Sequence, residues 1–289
     1  MRKLILLLFS GLVYSGALAQ DPGSPQNQLM EEGRALMEEG NYSKAAEIYS
    51  KIIQATGGMP KEESTPGSSY FEALYSRAVC FYYLDESDKA IADLDLFLAN
   101  IPSFPQAYLL KSIIYQRQQR FEEQLNTLNL ALPFFKESDK HKIFRLRAGA
   151  FLGLEKIDSA LIDLRVALSA EEDAEGLSML GLIQYKKGNF DSALVSLNKA
   201  IGLDHSYITT YRYAVSFCLE QGQYEMAITY INLGLLAEPE MPELLFLKGV
   251  ILQEWGQTDE ACRLLNRAFY AGVDDAGDYL TEYCYPTER

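Results

Sequence analysis

The apolar residues of this 289-residue chain recur in a pattern that returns about every 34 residues, seven times. Within each copy, apolar residues stand three or four positions apart, which is the spacing of one face of an α-helix. One slot is small in all copies but one: Gly33, Ala78, Ser112, Ala148, Gly181, Val215 and Gly249. A second slot is alanine in all copies but one: Ala45, Ala90, Gln124, Ala160, Ala193, Ala227 and Ala261. The pattern therefore predicts seven pairs of antiparallel helices, A and B, whose facing positions are small enough for close approach.

These slots resemble positions 8 and 20 of the tetratricopeptide repeat, which also has a large apolar residue at position 24. That third slot is large and apolar in every copy: Tyr49, Leu94, Leu128, Leu164, Leu197, Ile231 and Leu265. The resemblance implies an all-α fold, a right-handed superhelical solenoid of seven helix-turn-helix repeats with a C-terminal capping helix. The expected repeats cover residues 26–59, 71–104, 105–138, 141–173, 174–207, 208–241 and 242–273.

The two ends of the chain lie outside the seven copies. Residues 1–19 combine a charged start, a short apolar run and an Ala-Leu-Ala site, which predicts a cleaved signal peptide. The apolar run is about half of the roughly 20 residues that span a bilayer. Residues 20–27 are a predicted flexible lead-in, and residues 274–289 are a predicted capping helix and tail. The signal predicts an exported protein, either periplasmic or secreted, and its style is bacterial.

One insertion, at residues 56–69, lengthens the spacing between the first two repeats. It contains glycine and proline, and longer surface loops cost little stability. The sequence favours a tolerated loop, although loops of repeat proteins also contact partners, so a binding role stays open.

The charge of the chain restricts the classes of partner. The formal net charge is −14, and it becomes −16 when the two cations of the signal, Arg2 and Lys3, are removed. Such an acidic chain repels phosphate backbones, so we expect no nucleic-acid partner. No second apolar run is long enough to span a membrane.

The four cysteines would meet an oxidising compartment after export. Cys80 and Cys218 lie four repeats apart, which is too far for a disulfide. Cys262 and Cys284 are closer in sequence. A regular helix would point Cys284 away from the preceding B helix, so the sequence favours free thiols there and leaves a bridge open.

No catalytic motif is found in the sequence. Phosphate loops, dinucleotide-binding glycine motifs and nucleophile elbows are missing. The two histidines, His141 and His205, have no second histidine or cysteine at metal-ligand spacing. We therefore expect a protein without enzymatic activity, metal or cofactor.

The resemblance also implies a partner site, because helix A positions 2, 5, 9, 12 and 13 line the inner groove of the family. These positions supply a candidate set of aromatic and basic residues: Tyr75, Tyr82, Tyr83, Arg117, Lys142, Arg145, Tyr185, Lys186, Arg212 and Phe246. We expect exposure for Tyr75, Tyr82, Arg145 and Arg212, whereas other groove positions are expected to pack against the neighbouring repeat: Val79, Ile113 and Val250. The five cations form a basic island that would favour an acidic or C-terminal segment. The alternative, in which they pair with acidic neighbours of the same chain such as Glu175 or Glu220, stays open.

The sequence thus predicts a non-enzymatic scaffold of the bacterial cell envelope that binds a peptide or another envelope protein in its groove. Aromatic anchors and arginine suit such a surface. The alternative is a cell-surface or periplasmic glycan-binding protein, with Tyr75, Tyr82 and Tyr83 as stacking platforms.

Overall fold

The computed structural model of the chain describes residues 25–55 and 69–285. In these ranges every regular element is helical and no strand occurs. The A helices are α1 (Pro25–Glu38), α3 (Ser69–Tyr83), α5 (Pro105–Arg117), α7 (Lys140–Gly153), α9 (Ala174–Lys186), α11 (Ile208–Glu220) and α13 (Pro242–Glu254). The B helices are α2 (Tyr42–Ala55), α4 (Ser87–Asn100), α6 (Phe121–Ala131), α8 (Ile157–Ala170), α10 (Phe190–Leu203), α12 (Tyr224–Ala237) and α14 (Thr258–Tyr270). The prediction of an all-α fold with seven A and seven B helices is confirmed.

Some predictions concern residues outside these ranges. The predicted signal peptide, residues 20–24 of the predicted lead-in, residues 56–68 of the insertion and the tail at 286–289 lie outside the described residues. Residues 25–27 of the predicted lead-in are helical and begin α1. No helix in the described part of the chain is long and apolar enough to cross a membrane.

The chain divides into two compact units between Lys156 and Ile157. The N-terminal unit contains α1 to α7, and its core includes the fully buried side chains of Tyr49, Phe71 and Leu94. The C-terminal unit contains α8 to the end of the chain. Its core includes Leu197, Ile231 and Leu265, the large apolar residues of the repeated pattern.

The small residues at position 8 lie where an A helix contacts its B helix. A Cβ atom on Gly33 would stand 2.8 Å from the ring of Tyr49, and one on Gly181 would stand 2.8 Å from Leu197 Cδ2. Real side chains do not approach this closely, so the small slot allows the helices to pack at their observed separation.

The A-to-B turns share one left-handed backbone position. In the C-terminal unit it is occupied by glycine, for example Gly188 with φ of 81°. In the N-terminal unit three turns place a residue with a side chain there: Asp85, Gln119 and Glu155, with φ of 61°, 56° and 57°. Glycine adopts this conformation without the steric cost that a Cβ atom brings.

The third repeat departs from the pattern at its helix contact. Gln124 replaces the recurrent alanine and is fully buried. Neither the nitrogen nor the oxygen of its amide has a hydrogen-bond partner among the described residues. Helix α6 is short and is followed by two 3₁₀ turns, Leu132–Phe134 and Glu137–Asp139. Burying an unpaired amide costs stability, so Gln124 weakens the helix contact of this repeat.

The chain continues past α14 with a short helix, α15 (Asp275–Tyr279), and a π-helical turn, Leu280–Cys284. Ala276 and Leu280 are buried against the core of the last repeat. These residues therefore form the predicted cap of the terminal repeat.

Cys284 forms a disulfide with Cys262, with 5.7 Å between their Cα atoms. The expectation that Cys284 points away from α14 is wrong. The reason is the π-helical turn, in which the backbone N–H of Tyr285 donates to the carbonyl of Leu280. A π-turn contains more residues than an α-turn. It therefore rotates Cys284 towards Cys262 on α14.

Candidate partner-binding face

Neighbouring A helices contact each other in both units, α1 with α3 and α3 with α5 in the N-terminal unit and α9 with α11 in the C-terminal unit. In the C-terminal unit α9 contacts α11 at both ends. The hydroxyls of Ser178 and Thr210 share a buried hydrogen bond of 2.7 Å. The ring of Tyr185 stacks on Phe217 with 3.9 Å between centroids and 5° between planes. We call the outward side of α9, α11 and α13 the A-helix face of the C-terminal unit.

A small polar network fixes the C-terminal ends of these helices. The hydroxyl of Tyr185 donates to the carboxylate of Glu220 at 2.7 Å, and Gln221 Nε2 donates to that hydroxyl at 3.3 Å. Ser216 also donates to Glu220, at 3.1 Å. Loss of hydration and the hydrogen bond to Glu220 raise the pKa of Tyr185. Tyr185 is thus held in place and half-buried.

Two predicted cations of this face are exposed and have no ion pair among the described residues, Lys186 and Arg212. The predicted exposure of Arg212 is confirmed. A guanidinium without a carboxylate neighbour can make two hydrogen bonds to a carboxylate of another molecule.

The other three predicted cations belong to the N-terminal unit, and none of the three is free. Arg117 forms an ion pair of 3.2 Å with Asp85, and its guanidinium lies 5.0 Å from the centre of the Tyr82 ring. Lys142 pairs with Asp139 at 2.8 Å. Arg145 is half-buried, so its predicted exposure is only partial. The cations of the basic island therefore differ in their surroundings.

The predicted exposure of Tyr75 and Tyr82 is wrong. Their exposed fractions are 1% and 5%. Tyr75 packs against Phe97 and Phe104, with ring centres 5.7 and 5.3 Å away. These contacts come from the B helix of the same repeat and the loop after it, and the assignment of Tyr75 to a groove slot does not reveal them. Loss of hydration raises the pKa of the buried Tyr75 hydroxyl.

The other predicted aromatics are half-buried. Tyr83 stacks on Tyr42, with 4.1 Å between ring centres. Phe246 contacts the edge of Tyr279 at 5.6 Å. The predicted packing of Val79 and Ile113 is confirmed, since both are buried. Val250 is half-buried against the core of the last repeat.

Sequence reasoning missed Phe217 and Tyr279 as neighbours of the candidate residues. Phe217 stands at position 10 of its repeat, one place from a groove slot, and it supports the ring of Tyr185. Tyr279 falls at position 4 of a would-be eighth A helix, and it contacts Phe246. Position 4 is not a groove slot, so the repeat numbering alone does not mark Tyr279 as part of the face.

The described residues contain no group of His, Cys, Asp and Glu that could hold a metal ion. The two free cysteines, Cys80 and Cys218, are buried. Burial raises the pKa of the Cys80 thiol to about 12 and that of Cys218 to about 11. A thiol with such a pKa is a poor nucleophile at neutral pH.

Comparison with known proteins supports the repeat assignment. Tetratricopeptide repeat family models match residues 30–103 and 174–207. No curated protein sequence gives a significant match.

Among solved structures, a tetratricopeptide repeat protein from Parabacteroides merdae has a TM-score of 0.70 and 15% sequence identity. The alignment covers 89% of this chain and 97% of that protein. PilW, a type IV pilus biogenesis factor, has a TM-score of 0.62 and 16% identity over 73% of this chain and 98% of its own. MamA from Desulfovibrio magneticus has a TM-score of 0.55 and 15% identity, covering 65% of this chain and 99% of that one.

At these identities the solved structures support the fold alone, whereas the family models identify the repeat itself. The repeat period, the family matches and the alternation of A and B helices agree with one another. The chain is a tetratricopeptide repeat protein.

Proposed function

We propose that this chain is a non-enzymatic scaffold of the bacterial cell envelope that binds a segment of another protein on its A-helix face. Tetratricopeptide repeats generally serve as protein–protein interaction scaffolds. Stacked repeats bury their cores between neighbours and leave extended faces for partners.

Two features support an exported location. Residues 1–19 have the composition of a signal peptide. The disulfide between Cys262 and Cys284 agrees with this location, since such bonds persist in oxidising compartments such as the periplasm.

The observation that carries the partner assignment is the pair of exposed cations on the A-helix face of the C-terminal unit. Lys186 and Arg212 lack a carboxylate partner among the described residues, although acidic residues outnumber basic ones, 40 to 26. An acidic segment of a partner would supply the missing carboxylates.

The structure gives less support to glycan binding. That alternative used three tyrosines as stacking platforms, and two of them, Tyr75 and Tyr82, are buried. The third, Tyr83, stacks on Tyr42 and has one ring face occupied.

A pull-down from envelope extract tests the proposal. The mature protein serves as bait, and the captured protein is identified by mass spectrometry. Arg212→Glu should reduce capture, most strongly at low salt, because surface charges are screened as salt rises. The matched control is Arg165→Glu, which makes the same charge change at an exposed position of helix α8 in the same unit.

Equal capture by wild type and Arg212→Glu at low salt would refute the assignment of this face. Equal loss in both variants would show that net charge, and not the A-helix face, governs capture. Binding on a glycan array with no captured protein would favour the alternative.

A further inference from the structure

Three aromatic rings follow one another at the end of the C-terminal unit. The Phe246 and Tyr279 ring centres are 5.6 Å apart, and those of Tyr279 and Tyr283 are 5.9 Å apart. Phe246 and Tyr279 are half-buried, whereas Tyr283 is 39% exposed. We call these three residues the C-terminal aromatic face. It includes two cap residues that no family position assigns to a site.

Two carboxylates raise the pKa of Tyr283, the exposed tyrosine of this face. Glu282 precedes Tyr283 in the chain, and its interaction with the Tyr283 side chain is the largest cause of a raised pKa of Tyr283. Glu254, at the end of α13, adds to the rise through its charge. Both glutamates are exposed, and neither forms an ion pair with a described residue.

The rings of the N-terminal unit have a different environment. Several have a cation of the same unit over them, such as Arg120 at 4.7 Å from the centre of Tyr115 and Lys89 at 5.4 Å from Phe81. Among the described residues, no lysine or arginine lies over a ring of the C-terminal aromatic face. Aromatic faces attract cations, and nearby carboxylates strengthen that attraction.

The cap is held firmly enough to present this face without further ordering. The disulfide fixes the end of the π-helical turn, one residue after Tyr283. Asn266 Nδ2 donates to the hydroxyl of Tyr285 at 3.1 Å, and Leu280 is buried in the core. A preorganised surface loses little conformational entropy when it binds.

We propose that the C-terminal aromatic face docks a lysine or arginine side chain from a basic segment of a partner protein. The cation would lie over the Tyr283 ring and pair with Glu254 and Glu282. This surface does not include the cations Lys186 and Arg212. Its carboxylates suit a basic segment, whereas those two cations suit an acidic one.

Fluorescence anisotropy tests this proposal on the mature, oxidised protein. The probe is a fluorescein-labelled peptide of alternating arginine and alanine, and a peptide with glutamate in place of arginine is its counterpart. The arginine peptide should bind, and the glutamate peptide should not compete with it. Tyr283→Ala and the double variant Glu254→Gln/Glu282→Gln should each weaken binding of the arginine peptide by about tenfold.

The matched control is Glu225→Gln/Glu238→Gln, which removes two exposed carboxylates without ion pairs from the same unit. This control should retain the affinity of wild type to within about twofold. The comparison matters because an acidic protein attracts any basic peptide.

Equal weakening by the control pair and the Glu254→Gln/Glu282→Gln pair would overturn the proposal, since it would show attraction to net charge. Unchanged binding by Tyr283→Ala would also overturn it. Arg212 is not part of this surface. Failure of this proposal would therefore leave the proposed function unaffected, and failure of the proposed function would leave this proposal unaffected. Unchanged helicity by circular dichroism verifies that each variant is folded.

Discussion

Replacing Gly181 with alanine would place a methyl group inside the contact between α9 and α10. The added Cβ would lie 2.8 Å from Leu197 Cδ2, 2.9 Å from Leu197 Cγ and 3.2 Å from the backbone oxygen of Ala193. Leu197 is fully buried, so its side chain has little room to move, and the backbone oxygen belongs to a packed helix. Overpacking of this kind costs about 1 to 3 kcal/mol.

Alanine also favours a helix over glycine by about 1 kcal/mol, which offsets part of that cost. We therefore expect Gly181→Ala to lower the free energy of unfolding by about 1 kcal/mol. The matched control is Gly202→Ala on α10, where an added Cβ meets no atom within 4 Å. There only the helix propensity changes, and we expect a gain of up to about 1 kcal/mol.

Urea unfolding followed by far-UV circular dichroism measures both changes. The two variants should move the midpoint in opposite directions. Gly249→Ala should behave as Gly181→Ala does, because its Cβ would lie 2.8 Å from Leu265 Cγ and 3.3 Å from the backbone oxygen of Ala261. If Gly181→Ala were as stable as Gly202→Ala, close packing at position 8 would not limit the helix separation.

Three further predictions use the same unfolding assay. Ala193→Phe and Ala227→Phe fill fully buried sites, so each should cost about 1 to 3 kcal/mol or more, and unchanged midpoints would show that the repeat register is wrong. Gln124→Met keeps the volume of the side chain but removes the unpaired amide, so it should stabilise the fold by about 1 to 3 kcal/mol; a loss of stability would show that the amide is satisfied. Breaking the bond between Cys262 and Cys284, which are 22 residues apart, should cost about 3 kcal/mol and speed hydrogen exchange in the cap; exchange rates equal to those of the oxidised protein would contradict a stapling role.

The helices could be predicted from the sequence because their determinants are local and repeated. The small residue at Gly181 and the alanine at Ala193 define a contact within one repeat, and the same contact recurs along the chain. The burial of the groove slots was less predictable. Tyr75 occupies a groove slot but is covered by Phe97 and Phe104, which come from the following helix and loop.

Irregular local structure also limited how well the candidate site could be predicted from the sequence. The ion pair of Arg117 with Asp85 depends on a turn in another repeat, so neither residue reveals it alone. Cys284 was placed on a regular helix, whereas a π-helical turn rotates it towards Cys262. Such a turn has no signature in the sequence pattern.

The left-handed residue in the turn between α3 and α4 links backbone geometry to the placement of a charge. Asp85 adopts φ of 61°, and its carboxylate is the ion-pair partner of Arg117. A glycine would relieve the backbone at this site but would also leave Arg117 without that partner. The two effects oppose each other in one residue, because the substitution that relieves the backbone also removes the ion pair of a groove cation and leaves that cation only its contacts with Tyr82.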